Sequence, residues 1–345
     1  MPAALLGRRA TSYDVAIAAG VAQSTVSRCF RDDSNISPAT RARVLEAAVG
    51  LGYVPNAMAR SLITQRSNMV GVIATKYTMR GNPDLIYALG KSLSEAGKSL
   101  LLVTVESDFP PAAALRGALE YPLDGLISCA MLDEAEISRF TQRGVSLLFY
   151  NRPIVLPRID SICIDNATGA AALADLLFAG GSRRFLCLAG PVDAAVSQER
   201  VSGFLARLGE FGISQTPVLH TDYSYAGGRA AFLAHTQTQS FPDAVFCAND
   251  QIALGVIDAC RHDLRLRVPE QLSVVGFDDV PEAGRPPYLL TTMRQDSVAM
   301  AQTAVGLLLR RMREPAVAAR RLLIPATLMQ RRSARLEEGQ EDKTD

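Results

Sequence analysis

Residues 12–28 run Ser-Tyr-Asp-Val-Ala-Ile-Ala-Ala-Gly-Val-Ala-Gln-Ser-Thr-Val-Ser-Arg. Val15, Ala16 and Ala19 recur at helical spacing and predict a helix from Tyr13 to Ala19. Gly20 ends it, because glycine takes the positive φ of a helix terminus without steric cost. A second helix is expected from about Gln23 to Arg31. Helix, glycine turn, helix is the geometry that lays a second helix in the major groove of a duplex. That helix carries Gln23, Ser24, Thr25, Ser27 and Arg28 near its start. A glutamine pairs with an adenine edge, and an arginine binds guanine O6 and N7 bidentately. Val21 and Val26 face the other way and lock the helix pair together. The competing reading is an ordinary surface helix of a small bundle.

The segment that follows extends this head. Ser37 as N-cap and Pro38 at the first helical position start a third helix, which continues through Val44, Leu45 and Ala48 to Gly50–Gly52. Pro55 to Leu62 has the length of two helical turns, capped by Asn56 and carrying Arg60. So short a helix is marginal in water and is expected to form only when docked. Leu62 suits an apolar wedge in a minor-groove step. A plain linker is the alternative.

From Met69 onward, apolar strand-like runs alternate with amphipathic stretches. The runs are Val70–Thr75, Leu100–Val105, Gly125–Cys129, Ser146–Tyr150, Ser161–Ile164, Phe185–Ala189, Ala244–Cys247 and Leu272–Gly276. Helical patterns cover Leu85–Ala96, Asp133–Gln142, Ala170–Ala179 and Gln251–Cys260. Alternating β and α implies parallel sheets with helices on both faces, and this length implies two similar lobes. Ligands of such sheets bind beyond the carboxyl ends of the strands, in the crevice between lobes. Asn151, Asn249 and Asp278 each follow a strand-like run, Arg200 opens the helical stretch after Pro191, and Tyr223 lies on a loop after Pro217–His220. Amides, a carboxylate and an arginine in a cleft suit a polyhydroxylated ligand, because they accept and donate fixed hydrogen bonds. Asp165 and Asp250 are equally read as N-caps of the helices that follow, and Arg200 competes with a surface ion-pair role. The loop Thr78–Asn82 is expected to be solvated, although Lys76 and Arg80 would also suit an anionic ligand.

Composition narrows the function classes. The 345 residues carry 36 Lys and Arg against 35 Asp and Glu, a net +1. Residues 1–66 hold eight Arg, no Lys and four acidic residues, so a basic head sits on a mildly acidic body. Six cysteines lie scattered in apolar runs without CxxC spacing and read as buried hydrophobes in a reducing compartment. No run of about 18 apolar residues predicts a membrane span. Ala3-Ala4-Leu5-Leu6 precedes Arg8-Arg9, the reverse of a signal peptide, so a cytoplasmic protein is expected. His220, His235 and His262 fit no metal motif, and no GxSxG, GxxxxGK[ST] or GxGxxG occurs. No enzyme activity, cofactor or metal is expected. The charged tail 331–345 reads as flexible and lacks apolar heptads, which favours a dimer over a coiled-coil tetramer.

Asp14-Val15-Ala16, Ala19-Gly20-Val21, Thr25-Val26-Ser27-Arg28, Leu51-Gly52-Tyr53 and Pro55-Asn56…Ala59-Arg60-Ser61-Leu62 resemble the lactose-repressor (LacI/GalR) family, matched without gaps. Ala248-Asn249-Asp250, Val274 to Asp279 and Leu289 to Gln295 extend the resemblance through the body. It implies a small all-α helix-turn-helix head on an α/β body of two parallel-sheet lobes like those of periplasmic binding proteins, joined by three crossovers. It implies a head at 1–54, a hinge helix and linker at 55–66, and an effector-binding and dimerisation domain at 67–330. Within that domain the N-lobe is expected at about 67–163 and 295–323, the C-lobe at about 164–294 and 324–330. The implied activity is repression: a dimer on a pseudo-palindromic double-stranded operator, controlled by a sugar or related metabolite. Gln23, Ser24 and Arg28 fall where the family reads bases, Thr25 and Ser27 where it holds phosphates, and Leu62 where it levers the minor groove open. Tyr223 falls where the family stacks an aromatic ring on its ligand. Three departures stand out: Ala22 in place of a capping Ser, Cys29-Phe30-Arg31 in place of Val-Leu-Asn, and Lys76-Tyr77 in place of Pro-Asp. A periplasmic sugar-binding protein shares the body; the head argues against it.

Overall fold

The computed structural model describes residues 10–30, 36–54 and 66–335, except 83, 108, 111, 155 and 240. They fall in two units, Met1–Ser67 and Asn68–Asp345. In the first, α1 spans Ser12–Ala19, α2 Gln23–Cys29 and α3 Pro38–Gly50. Thr11 and Asp14 cap α1 reciprocally, the Thr11 N–H donating to Asp14 Oδ2 at 2.8 Å. Gly20 takes φ +62°, and the Val21 N–H donates to the Ala16 carbonyl at 3.0 Å, closing the helix. Helix α2 starts at Ala22 without a side-chain cap, and α3 is capped by Ser37. Val15, Val26 and Val44 are fully buried and pin the three helices together with Ala16, Ala19, Cys29 and Ala48. Two expectations need correction. Helix α2 ends at Cys29 rather than at about Arg31, and Leu45 turns outward, so Val44 and Ala48, with half-buried Ala47, carry the inner stripe of α3. The segment holding Asn56, Arg60 and Leu62 lies outside the described residues.

The second unit is built on two six-stranded sheets. Its strands are β1 Met69–Thr75, β2 Ser99–Val105, β3 Gly125–Ser128, β4 Ser146–Tyr150, β5 Asp160–Ile164, β6 Phe185–Ala189, β7 Val218–His220, β8 Ala244–Cys247, β9 Ser273–Asp278, β10 Thr291–Arg294, β11 Arg321–Ile324 and β12 Thr327–Met329. The N-lobe sheet has the order β11-β5-β4-β3-β1-β2, every pair parallel. The C-lobe sheet has the order β12-β10-β9-β8-β6-β7; it is parallel except for β12, an antiparallel edge strand. The chain passes between sheets after β5, after β10 and after β11. Every residue of β3, β5, β6 and β8 is buried, as strands covered on both faces require.

Helices cover the sheets: α4 Lys76–Gly81, α5 Leu85–Glu95, α6 Arg116–Glu120, α7 Glu134–Thr141, α8 Asn166–Ala179, α9 Ala195–Glu210, α10 Tyr225–Thr238, α11 Asp250–Asp258 and α12 Ser297–Arg313. Helix α12 buries Met300, Ala301, Ala304, Val305 and Leu308 against the N-lobe sheet. Its last turn is pinned there by Arg311, whose Nε and Nη2 each lie 3.0 Å from a different oxygen of Asp160 on β5. Both side chains are almost fully buried, and the Arg320 N–H adds a 2.7 Å bond to Asp160 Oδ1.

Helices α8 and α9 meet closely at Gly203, where a Cβ would lie 2.6 Å from the Ala167 Cα. Gly203→Ala is expected to lower stability by about 1–3 kcal/mol, because backbone is what it meets. Gly209→Ala on the same helix meets nothing within 4 Å. It is expected to raise stability by up to about 1 kcal/mol through helix propensity. Denaturant melts of the two variants check the opposite signs.

Candidate effector cleft and nucleic-acid interface

Asn151, Arg200, Tyr223, Asn249 and Asp278, separated by up to 127 positions in sequence, line one cleft between the lobes. The cleft is partly open to solvent and lined from both lobes. Each residue stands at or just past the carboxyl end of a strand, or at the start of a helix. Asn151 follows β4 with φ +53°, its N–H donating to the Ile162 carbonyl at 2.7 Å. Asn249 follows β8 and caps α11, accepting from the Ile252 N–H at 2.9 Å and donating to the Tyr223 carbonyl at 3.2 Å. Asp278 ends β9 with φ +118°. Tyr223 sits at φ +62°, its ring where a side chain on Gly190 would stand. Positive φ at Asn151, Tyr223 and Asp278 is costly for residues with a Cβ, and such strain collects at functional sites.

Arg200 is the centre of the C-lobe wall. It is 2% exposed. Nη2 lies 2.9 Å from Asp278 Oδ1, Nε donates to Asn166 Oδ1 at 2.9 Å, and Nη1 donates to the Ala248 carbonyl at 2.7 Å. The guanidinium carbon lies 3.8 Å from the Phe277 ring centroid. The surface ion-pair reading of Arg200 is therefore replaced by a buried one. Gln295, just past β10, donates to the same Asp278 oxygen at 2.5 Å. Burial pushes the Asp278 carboxyl up, against the pull of Arg200 and Gln295.

The two aspartates with competing readings separate. Asp165 caps α8, accepting from the Thr168 N–H at 3.2 Å. Asp250 is not a cap, because Asn249 takes that role. It is fully buried, accepting from Thr292 Oγ1 at 2.6 Å and from the Val280 N–H at 2.9 Å. Burial, with the charge of Asp278 second, pushes its carboxyl up to about 7. The region expected as a solvated loop is helix α4, capped by Thr75. Lys76 pairs with Glu106 at 3.4 Å and does not line the cleft, while the Arg80 side chain lies outside the described residues.

Sequence reasoning missed Tyr77, Asn82, Tyr150 and Gln295, which also line the cleft. Tyr150 and Gln295 obey the same strand-end rule as Asn151 and Asp278 and were legible in principle. The Tyr77 ring stands 5.6 Å from that of Tyr223, tilted 57°, so an aromatic pair bridges the lobes. Asn82 Oδ1 accepts from Ser297 Oγ at 2.7 Å.

In the head, Ser24 and Arg28 are exposed, while Gln23, Thr25 and Ser27 are half-buried on the same helix. Gln23 Nε2 donates to Ser12 Oγ at 3.1 Å, which holds it against α1. Val26 and Cys29 face inward. Asn56, Arg60 and Leu62 lie outside the described residues. Among the described residues, no helix is long and apolar enough to cross a membrane, and no group of His, Cys, Asp and Glu is arranged to hold a metal ion.

Two family models match this chain. One, for bacterial regulatory proteins of the lacI family, covers residues 11–56; the other, for a periplasmic binding protein-like domain, covers residues 174–334. The chain is 32% identical over 338 residues to the HTH-type transcriptional regulator CelR of Thermobifida fusca, covering 94% of this chain and 98% of that protein. Among solved structures, the lac repressor dimer bound to operator and the anti-inducer ONPF matches with a TM-score of 0.82 at 28% identity, over 94% of this chain and 99% of that one. A complex of the regulator CelR with cellobiose matches with a TM-score of 0.68 at 29% identity, over 94% of this chain and 100% of that one.

The Asp250 carboxyl holds its proton more tightly in the folded chain, at about 7, than at the ordinary 3.8. Its contribution to stability is thus full below pH 3.8 and is lost as pH rises through about 7. Asp250→Asn keeps an acceptor for the Val280 N–H, puts an amide donor where the carboxyl accepts from Thr292 Oγ1, and removes the titration. The melting temperature of the variant relative to wild type is expected to rise from about pH 5 to about pH 8. A difference that is flat across that range contradicts the assignment.

Proposed function

Because the chain belongs to the lacI family of bacterial regulatory proteins, we propose that it represses transcription as a dimer on a pseudo-palindromic operator, under the control of a sugar or related metabolite held between its lobes. The observation that carries this is the pairing of two features in one chain. A helix-turn-helix exposes Ser24 and Arg28, and a separate unit gathers Asn151, Arg200, Tyr223, Asn249 and Asp278 onto one cleft.

In this reading residues 1–54 are the DNA-binding domain and 55–66 the hinge helix and linker. Residues 67–330 bind effector and partner subunit, with the N-lobe at about 67–163 and 295–323 and the C-lobe at about 164–294 and 324–330. The tail expected to be flexible from residue 331 is packed at its start, where Ser333 and Ala334 are buried and Arg331 pairs with Asp279 at 2.6 Å; residues 336–345 lie outside the described residues. Gln23, Ser24 and Arg28 read base edges, Thr25 and Ser27 hold phosphates, and Asn56, Arg60 and Leu62 belong to the hinge that opens the minor groove. Gln23 must leave Ser12 to reach a base. The protein works in the cytoplasm, without catalysis.

Control follows from linkage. A ligand that touches both lobes favours one cleft angle, and in a dimer that angle sets the spacing of the two heads. Heads at the wrong spacing cannot order both hinge segments on one operator. The coupling cannot exceed the ligand's differential affinity for the two states, commonly about 1–3 kcal/mol.

Mobility-shift titrations of the chain's own promoter fragment against random duplex test the reading. The wild type is expected to prefer the promoter fragment, with affinity falling steeply as salt rises. Arg28→Ala is expected to lose about 1–3 kcal/mol and to relax sequence preference at one position per half-site. Equal affinity of the wild type for promoter and random duplex removes the proposal.

A further inference from the structure

The two walls of the cleft differ in how their polar atoms are satisfied. On the C-lobe wall, Arg200 is met by Asp278, Asn166 and Ala248, and Asn249 by Ile252 and Tyr223. On the N-lobe wall, Tyr150 is 1% exposed, and its Oη has no hydrogen-bond partner among the described residues. Asn82 Nδ2 is likewise buried and without a partner among them, although Ser297 Oγ holds its Oδ1 at 2.7 Å. Folded proteins rarely leave a buried phenol or amide unmatched, because the desolvation cost is then uncompensated. Two such atoms on residues that line one cleft point to a group supplied from the cleft.

The chemistry of that group follows from what faces it. Asn82 Nδ2 only donates, and a phenol donates and accepts. Burial holds the Tyr150 hydroxyl protonated, far above its ordinary range. A hydroxyl oxygen can accept from Asn82 and exchange a bond in either direction with Tyr150. Arg200 and Asp278 neutralise each other, and an uncharged group leaves that ion pair undisturbed. Resting on the effector reading above, we infer that Tyr150 and Asn82 are specificity-determining residues that recognise hydroxyl groups of a neutral sugar on the N-lobe wall.

The test measures sugar binding by calorimetry on the full chain without DNA, so it stands apart from any failure of operator recognition. The probes are D-glucose, D-galactose, D-ribose and cellobiose, their monodeoxy analogues, and glucuronate and galacturonate. Wild type is expected to bind a neutral sugar best. Tyr150→Phe and Asn82→Ala are expected to weaken it roughly 10- to 100-fold. One monodeoxy analogue is expected to bind wild type and Tyr150→Phe equally, because the lost bond is shared. Tyr150→Phe is also expected to melt about 2–4 °C higher than wild type without sugar, since an unmatched hydroxyl leaves the interior. A hydroxyl with a purely structural role would give a lower melting temperature on removal. Unchanged sugar affinity in both variants, preference for a uronate, or no binding of any neutral sugar overturns the inference.

Discussion

The C-lobe end of the cleft depends on one buried cation. Taking a guanidinium out of water costs several kcal/mol unless its donors are met and a counter-charge lies close. Arg200 meets that condition through four elements: it rises from α9, reaches Asn166 on α8 and the carbonyl of Ala248 past β8, and closes on Asp278 at the end of β9. The Phe277 ring covers the face of the guanidinium. The strained backbone at Asp278 follows from this arrangement, because the carboxylate must face inward to both Arg200 and Gln295. Gln295 stands where the chain leaves the C-lobe sheet, so the ion pair is also tied to a crossover.

Charge is partitioned sharply around that point. Three carboxylates gather near the ends of β8 and β9. Asp278 has Arg200, and Asp279 has Arg294 and Arg331, each at 2.6 Å. Asp250 has Thr292 and the Val280 N–H, both neutral. Asp250 alone of the three has no cation beside it, and burial with the charge of Asp278 raises its carboxyl. The N-lobe has its own anchor in Asp160 and Arg311, which fixes α12 rather than lining the cleft. One lobe thus places its buried ion pair at the cleft and the other places it at the far end of a covering helix.

The parts legible in sequence were those where local chemistry and fold agree. Gly20, Ser37 and Pro38 marked helix ends because only certain residues suit them, and the fully buried strands stood out as apolar runs. The strand-end rule brought Asn151, Asn249 and Asp278 to one cleft, where Arg200 from a helix start and Tyr223 from a loop join them. It failed to pick Tyr150 because an aromatic closing an apolar run reads as core. Edge strands β7, β11 and β12 are only three or four residues long and half-buried, which erases the pattern. Helix α12 left a readable stripe, Met300-Ala301, Ala304-Val305 and Leu308, that was passed over. Asn249 and Asp250 are adjacent potential caps, and only tertiary partners, Val280 and Thr292, decide which one caps.

In the proposed regulation, occupancy of the cleft is felt at the operator through Asp278 and its partners. The most direct measurement is the ratio of operator affinities with and without the best-binding sugar, for wild type and for Asp278→Asn. The substitution preserves shape and an acceptor for Arg200 but removes the charge. A ratio of about 5- to 150-fold is expected in wild type, collapsing toward one in the variant. A ratio of one in wild type, or the same ratio in both proteins, would contradict it.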